Sequence, residues 1–379
     1  MTGVSQPVDE NNLFRQAFSA EVVRYLAQQL DEGSEGFPKE AFLHWALRGL
    51  ENLSFLDRAK HILRALELSL PKDFSSALPF LLKALGPEPS KDHLDGFEGF
   101  YIMPLTMYVS KNGLDEPDLS LEALYHMTKR FTAESDIRPF LIHYPKRTLA
   151  FLHKLTLDPS PFARRLASEG TRPRLPLASR LPQFQKDPSE VISLLDRLYT
   201  DPNLMVRRSV ANNINDISKD QPETAVAVLK RWKQKNPSPE LDWMIRHGLR
   251  TLIKINHPGA LALLGYKTLG LKAAAWKLSP KKLALGDSLT FSFELCSTAE
   301  KEQKLAINYL IHFVKANGRT KPKVFRMPDK ILKPNEVLTL KKTHKFLPFK
   351  NQSFYEGTHQ LELVINGISQ FKSDFYLIV

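Results

Sequence analysis

The chain has 379 residues, 42% hydrophobic and 25% charged, and Lys plus Arg exceed Asp plus Glu by 53 to 41, giving a net charge of +12. That length suits two or three domains with ample core, and no apolar run approaches the roughly 20 residues needed to span a bilayer. The single cysteine, Cys296, excludes an internal disulfide and a thiolate metal cluster.

The opening MTGVSQPVDENN is polar and acidic, unlike a secretory or transit peptide, so a cytoplasmic protein is expected. Charge is unevenly spread: residues 1–130 sum to roughly −6, residues 131–270 to roughly +9 and residues 271–379 to roughly +9. Basicity confined to the last two regions points to a polyanionic partner such as nucleic acid or an acidic membrane.

From residue 10 to about 270 the apolar spacing predicts helix after helix, as in Ala41–Leu50 and Phe55–Leu68. Pro, Gly and Asp punctuate the stretch, and Gly86–Gly99 reads as the longest loop in this half. The helical half repeats itself. LHKLTLDPSPFARRLASEG (Leu152–Gly170) aligns with LDRLYTDPNLMVRRSVANN (Leu195–Asn213), Asp158-Pro159 on Asp201-Pro202 and Arg164-Arg165 on Arg207-Arg208. The offset of 43 residues lies within the roughly 40–47 of two-helix HEAT-type repeats. A weaker third copy, Leu229–Arg250, follows at about 38 residues. The Asp-Pro step is expected to mark the turn, with proline in the first helical turn and aspartate capping it. Stacked repeats of this kind form a curved solenoid with a concave binding face.

Residues four apart share a helical face. Arg165 and Glu169 do so in the first repeat, Arg208, Asn212 and Asp216 in the second, and Arg246, Arg250 and Lys254 in the third. Side by side, these faces would make a stripe of cations carrying a few carboxylates and an amide, suited to a phosphate backbone. After the first repeat the chain leaves its helix at Gly170, and Arg172 and Arg174 sit between prolines. They are expected to point outward from a stiff loop.

After about residue 272 the pattern changes to short, partly alternating segments, among them Leu289–Leu295, Val337–Leu340, Leu361–Ile365 and Phe371–Val379. Turn signals separate them: Leu285-Gly286-Asp287, Asn317-Gly318, Lys333-Pro334-Asn335 and Asn366-Gly367. About seven strands in this span suggest an immunoglobulin-type β-sandwich. The expected organisation is a helical-repeat domain, 1–270, followed by an all-β sandwich, 271–379. Lys315, Arg319, Lys321 and Lys323 surround the Asn317-Gly318 turn and would extend a nucleic-acid footprint.

Four stretches go beyond periodicity: FEGFYIMPLTMYVSKNGL (Phe97–Leu114), YHMTKRFTAESDIRPFL (Tyr125–Leu141), RRLASEGTRPRLP (Arg164–Pro176) and RRSVANNINDISKD (Arg207–Asp220). They resemble the AlkC family of bacterial DNA alkylation-repair glycosylases, and YLIHFVKANGRTKPKVF (Tyr309–Phe325) resembles that family's immunoglobulin-like domain. The resemblance implies a HEAT-like solenoid that cuts the N-glycosidic bond of cationic bases, chiefly 3-methyladenine and 3-methylcytosine. It implies no metal or organic cofactor and no base extrusion. The family's acidic site residues fall on Glu134, Glu169 and Asp216, which are all acidic here. One position departs: the family motif continues RPRLPW, and Leu177 stands where the tryptophan would be. Losing that ring bears on affinity for a cationic base.

Carboxylates suit the implied chemistry. Base excision leaves oxocarbenium-like positive charge on the sugar, which a carboxylate stabilises while positioning water. Glu169 and Asp216 are expected in that role, with Glu134 completing the cluster. Arg164, Arg165, Arg172, Arg174, Arg207 and Arg208 are expected to hold phosphates of double-stranded DNA, aided by Asn212, Arg246 and Arg250. A monofunctional, monomeric enzyme is expected, with no lyase step because no Schiff-base lysine is implied. There is no glycine-rich phosphate loop, HExxH or GxSxG elbow, and the eleven histidines are scattered. Two other readings stay open: a non-catalytic DNA-damage-binding repeat protein, and a protein-interaction scaffold.

Overall fold

The computed structural model describes residues 16–33, 36–89, 99–266, 270–347 and 353–379. The opening segment and residues 90–98 of the expected Gly86–Gly99 loop lie outside them. Packing divides the chain into two compact units, 1–220 and 221–379.

The first unit is helical. Its helices are α1 (Ala20–Gly33), α2 (Lys39–Leu47), α3 (Phe55–Ser69), α4 (Phe74–Lys83), α5 (Met103–Asn112), α6 (Pro117–Thr128), α7 (Arg138–His143), α8 (Pro145–Leu155), α9 (Pro161–Glu169), α10 (Pro182–Lys186), α11 (Ser189–Leu198) and α12 (Leu204–Ile217). The repeat unit is a helix pair, α8–α9 and then α11–α12. Helix α9 buries Phe162, Ala163, Leu166 and Ala167, and α12 buries Val206, Val210, Ala211 and Ile214. These positions form one apolar stripe per helix, and α9 packs on α12. Buried polar groups fix the register of that contact. Asn213 Nδ2 donates to the Ser168 carbonyl at 2.7 Å, and the Ser168 and Ser209 hydroxyls hydrogen-bond to each other at 2.9 Å.

The Asp-Pro step marks the turn as expected, but its residues stand just before the helix. Asp158 Oδ1 accepts from the Ser160 amide at 2.8 Å, and Asp201 Oδ1 accepts from the Asn203 amide at 2.9 Å. Asn203, not the aspartate, caps α12 by accepting from the Met205 amide. An aspartate two residues upstream of an amide closes a tight turn of its own.

The second unit begins with α13 (Pro222–Lys235), α14 (Pro239–Gly248), α15 (Arg250–Lys254) and α16 (Pro258–Leu263). Ten strands follow among the described residues: β1 (Leu271–Ser279), β2 (Lys282–Ala284), β3 (Ser288–Ser297), β4 (Gln303–Leu305), β5 (Ile307–Val314), β6 (Thr320–Arg326), β7 (Lys330–Leu332), β8 (Val337–Lys345), β9 (Gly357–Ile365) and β10 (Ile368–Ile378). Three of them, β2, β4 and β7, have three residues each, too short for alternation to register. Packing therefore groups four helices with the strands, and its division falls well before the change of secondary structure at Leu271.

One sheet runs β1-β3-β8, the other β2-β10-β9-β5-β6, and β4 pairs with β7. All pairings are antiparallel except β2 on β10. Strand β3 alternates strictly, burying Leu289, Phe291, Phe293 and Leu295. Tyr309, Ile311, Phe313, Leu361, Leu363 and Ile365 of the other sheet complete the same core. Asn366 and Gly367 both take positive φ, 49° and 84°, as a two-residue hairpin between β9 and β10 requires. Gly367 is needed twice over, because a Cβ there would meet the Asn256 carbonyl oxygen at 2.5 Å. No helix among the described residues is long and apolar enough to cross a membrane.

One inter-repeat contact gives a direct stability test. Arg164 holds buried Asp201 of the next repeat through two bonds, 2.6 and 3.1 Å. Replacing Arg164 with Ala strands that carboxylate and should cost about 3 kcal/mol in urea unfolding. The exposed Arg208→Ala change should stay within about 0.5 kcal/mol.

Candidate active site

The two arginines of each repeat pair divide their work. Arg164 Nη1 donates to the carbonyls of Asp158 and Pro159, both at 2.8 Å. Arg207 Nη1 repeats the geometry on Asp201 and Pro202, at 2.7 and 2.8 Å. Consecutive helical residues point about 100° apart, so Arg165 and Arg208 face elsewhere. Together with Glu169, Ser209, Asn212 and the turn 202–205, they line a cleft of about 460 Å³.

Arg165 is held at one side of that cleft. Its Nη1 and Nη2 each reach Glu134 at 3.3 Å, and Nη1 also donates to Thr132 Oγ1 at 3.0 Å. Burial lowers the Arg165 pKa, but the charges of Glu134 and Glu169 outweigh it and the net shift is upward. Just past Glu134, the partly buried Asp136 accepts from Ser110 Oγ at 3.0 Å. Burial pushes the Asp136 carboxyl up to about 6, against the hydrogen bonds of Thr106 and Ser110 and with help from the Glu134 charge.

The two carboxylates from neighbouring repeats meet on one guanidinium. Arg172 Nη1 donates to Glu169 Oε1 at 2.6 Å, and Arg172 Nε donates to Asp216 Oδ2 at 2.8 Å. The remaining oxygens are also engaged. Ser209 Oγ donates to Glu169 Oε2 at 2.6 Å, and Lys219 Nζ donates to Asp216 Oδ1 at 2.9 Å. Glu169 is 6% exposed and lines the cleft, while Asp216 is 1% exposed and lies deeper along α12.

This corrects the expectation that Arg172 and Arg174 point outward. Arg172 is buried and turned in by its two carboxylates. Arg174 binds Asp220 at 2.7 and 2.5 Å, and Gln185 joins them. The physical reason is that acidic residues of the next repeat lie beneath the loop, and a paired guanidinium is better placed there than in solvent. What the loop does present is Leu177, 86% exposed and in the left-handed region at φ 59°.

In the second unit, Arg246 and Arg250 do not share one continuous helix, since α14 ends at Gly248. With Lys254 of α15 they still line one cleft, about 420 Å³, completed by Asn308, Val324 and Arg326 of β5 and β6. Arg326 was not legible as a candidate from the sequence. An open groove of about 700 Å³ lies at the β5–β6 hairpin, lined by Lys315, Arg319, Lys321 and Tyr355. Lys323 is exposed on β6, its Nζ 5.6 Å from the centre of the Phe325 ring. Among the described residues, no group of three or more His, Cys, Asp or Glu could hold a metal ion. Arg138 and Lys219 also escaped sequence reasoning. The only signal for them was their place inside the quoted motifs.

The fold defines the class, a HEAT-like helical array carrying a C-terminal immunoglobulin-like sandwich. Residues 272–379 match the family described as "Uncharacterised protein YhaZ, C-terminal Ig-like domain". Over 363 residues the chain is 33% identical to the uncharacterized protein YhaZ of Bacillus subtilis (strain 168), covering 95% of this chain and 98% of that one. Among solved structures it is similar to the alkylpurine DNA glycosylase AlkC of Pseudomonas fluorescens, bound to DNA containing an abasic site analog. The TM-score is 0.81 at 32% identity, covering 97% of this chain and 99% of that one. The chain belongs to the AlkC-type family.

The raised pKa of Asp136 sets a sign for pH dependence. A carboxyl raised in the folded state stabilises fully below its unfolded value near 4 and loses that contribution as pH rises through about 6. Asp136→Asn should therefore gain on the wild type by about 1–3 kcal/mol between pH 4.5 and 7.5, read from urea midpoints at each pH.

Proposed function

We propose that the protein is a monofunctional DNA glycosylase that excises cationic N-alkylated bases, 3-methyladenine and 3-methylcytosine, from double-stranded DNA. One observation carries the reading: Glu169 and Asp216, from adjacent repeats, are fixed by a single guanidinium beside a basic cleft. The solved relative with the same architecture is an alkylpurine DNA glycosylase bound to DNA.

In this reading Glu169, at the cleft wall, stabilises the positive charge that develops on the deoxyribose and orients water toward the anomeric carbon. Asp216 supports it from behind through Arg172, and Glu134 holds Arg165. The alkylated base leaves as a neutral molecule, so the site needs no strong general acid. The charged side chains lining the cleft are Arg165, Glu169 and Arg208, and no Schiff-base step enters the reading. Excision without base flipping is part of the same proposal.

Arg165, Arg208 and Asn212 are the groups proposed to meet DNA at the cleft. Arg246, Arg250, Lys254 and Arg326 would hold phosphates at the second cleft. Lys315, Arg319, Lys321 and Lys323 would do so at the hairpin. A DNA-binding protein without chemistry would share these basic surfaces, and base release separates it from an enzyme.

Two measurements test the proposal. Glu169→Gln should slow 3-methyladenine release from methylated duplex by ~10²-fold or more, with DNA affinity within a few-fold of wild type. Unchanged release would remove Glu169 from the chemistry. The double change Lys254→Ala, Arg326→Ala should make the dependence of log K on log salt shallower by about 1–2. An unchanged slope would take the second cleft out of the footprint.

A further inference from the structure

Arg138 opens α7 and is 0% exposed. A guanidinium carries five N–H donors and no acceptor, and burying it is costly unless those donors are met. The hydrogen bonds it makes are to carbonyls. Nε donates to the Ser179 carbonyl at 2.7 Å, and Nη1 donates to the carbonyls of Gly170 and Arg172 at 3.0 and 2.9 Å. Nη2 is buried without a hydrogen-bond partner among the described residues. Burial, and then the charge of Arg172, holds the Arg138 pKa down to about 10.

An apolar side chain would fill such a space at less cost, so the three bonds must supply something else. All three acceptors belong to one loop, residues 170–179, which leaves α9 directly after Glu169. The loop also carries Arg172, Arg174 and Leu177. Other bonds hold the loop at Thr171 and Pro173, and the side chains of Arg172 and Arg174 are held by their carboxylates. Thr171 Oγ1 donates to the carbonyls of Ala167 and Ser168, and the Leu181 amide donates to the Pro173 carbonyl. Arg138 ties the carbonyl of Arg172 itself to the body of the unit, from a helix more than thirty residues away in sequence.

We propose that Arg138 is a positioning residue for the carboxylate site. By fixing the carbonyls of Gly170, Arg172 and Ser179, it sets the backbone from which the Arg172 side chain reaches Glu169 and Asp216. The planar fork matters. A lysine brings one nitrogen and a flexible stem, and cannot span acceptors on both sides of Arg172. The inference rests on the glycosylase reading for its consequence in catalysis, but not for its structural content.

The test uses full-length Arg138→Gln and Arg138→Lys and two readouts. The first is amide hydrogen exchange, which needs no catalysis. Protection of residues 170–181 should fall at least tenfold in Arg138→Gln, while peptides from α1 to α5 keep wild-type protection. The second is single-turnover release of 3-methyladenine with protein in large excess over DNA, where a smaller folded fraction leaves the saturated rate constant unchanged. A displacement of ~1 Å at a reacting group costs ~10²-fold. The rate constant in Arg138→Gln should fall by about that factor, with affinity for abasic-analogue duplex within threefold and partial recovery in Arg138→Lys. Wild-type exchange across 170–181 overturns the proposal, and so does a wild-type rate constant in Arg138→Gln. If the wild-type protein releases no base, the glycosylase reading fails and the exchange result alone judges Arg138. If Arg138→Gln does not fold, Arg138→Lys carries both readouts.

Discussion

The Arg172 guanidinium, shared between Glu169 and Asp216, is the constraint around which the first unit is arranged. Two carboxylates and a guanidinium buried together must each be matched, because an unmatched buried charge costs several kcal/mol. Ser209 and Lys219 take the remaining oxygens. The two carboxylates come from different repeats, α9 and α12, so the cluster exists only if those helices keep one register. Asn213 on Ser168 and Arg164 on Asp201 supply that register. Packing and polar pairing are therefore parts of the same construction.

The arginine pairs show how one repeated sequence feature serves two ends. Adjacent helical positions face different directions. The first arginine of each pair, Arg164 or Arg207, holds the Asp-Pro turn through its carbonyls. The second, Arg165 or Arg208, faces the cleft. A scaffold that locks the turn with one residue leaves the next free to be placed rather than merely tethered. Such preorganisation lets a charge act on a transition state without reorganising at the moment of reaction.

Much of the fold could be read from the chain. The 43-residue offset located the helix pairs, and alternation in Leu289–Leu295 located a central strand, β3. Faces were legible too: Arg165 with Glu169, and Arg208 with Asn212, do line one cleft. What could not be read was partnership. Periodicity says which side of a helix a residue occupies, not which residue forty positions away lies beneath it. Hence Arg172 and Arg174 read as outward cations, although Asp216 and Asp220 capture them. Hence also Arg138, one arginine in a quoted motif, gave no sign of its burial. The break at Leu249 between α14 and α15 was hidden for a related reason. Spacing of four residues persists across it, so Arg246 and Arg250 still share a cleft without sharing a helix.

Leu177 follows from the same mechanics. The loop that carries it is fixed from below by Arg138 and from within by prolines, so its backbone path is set by groups other than the residue at its exposed point. That path holds Leu177 at φ 59°, a conformation costing a non-glycine residue on the order of 1–2 kcal/mol. The conformation is therefore set by the loop, and a leucine or an aromatic there bears the same strain, which glycine would not. Leu177 is absent from the contacts that hold Glu169, Asp216 and Arg172, and an aromatic in its place would add a ring face worth about 0.5–2 kcal/mol toward a cation. On the glycosylase reading proposed above, such a ring face would change the affinity for a charged lesion by roughly 2- to 30-fold. The carboxylates that would stabilise the sugar are untouched by it.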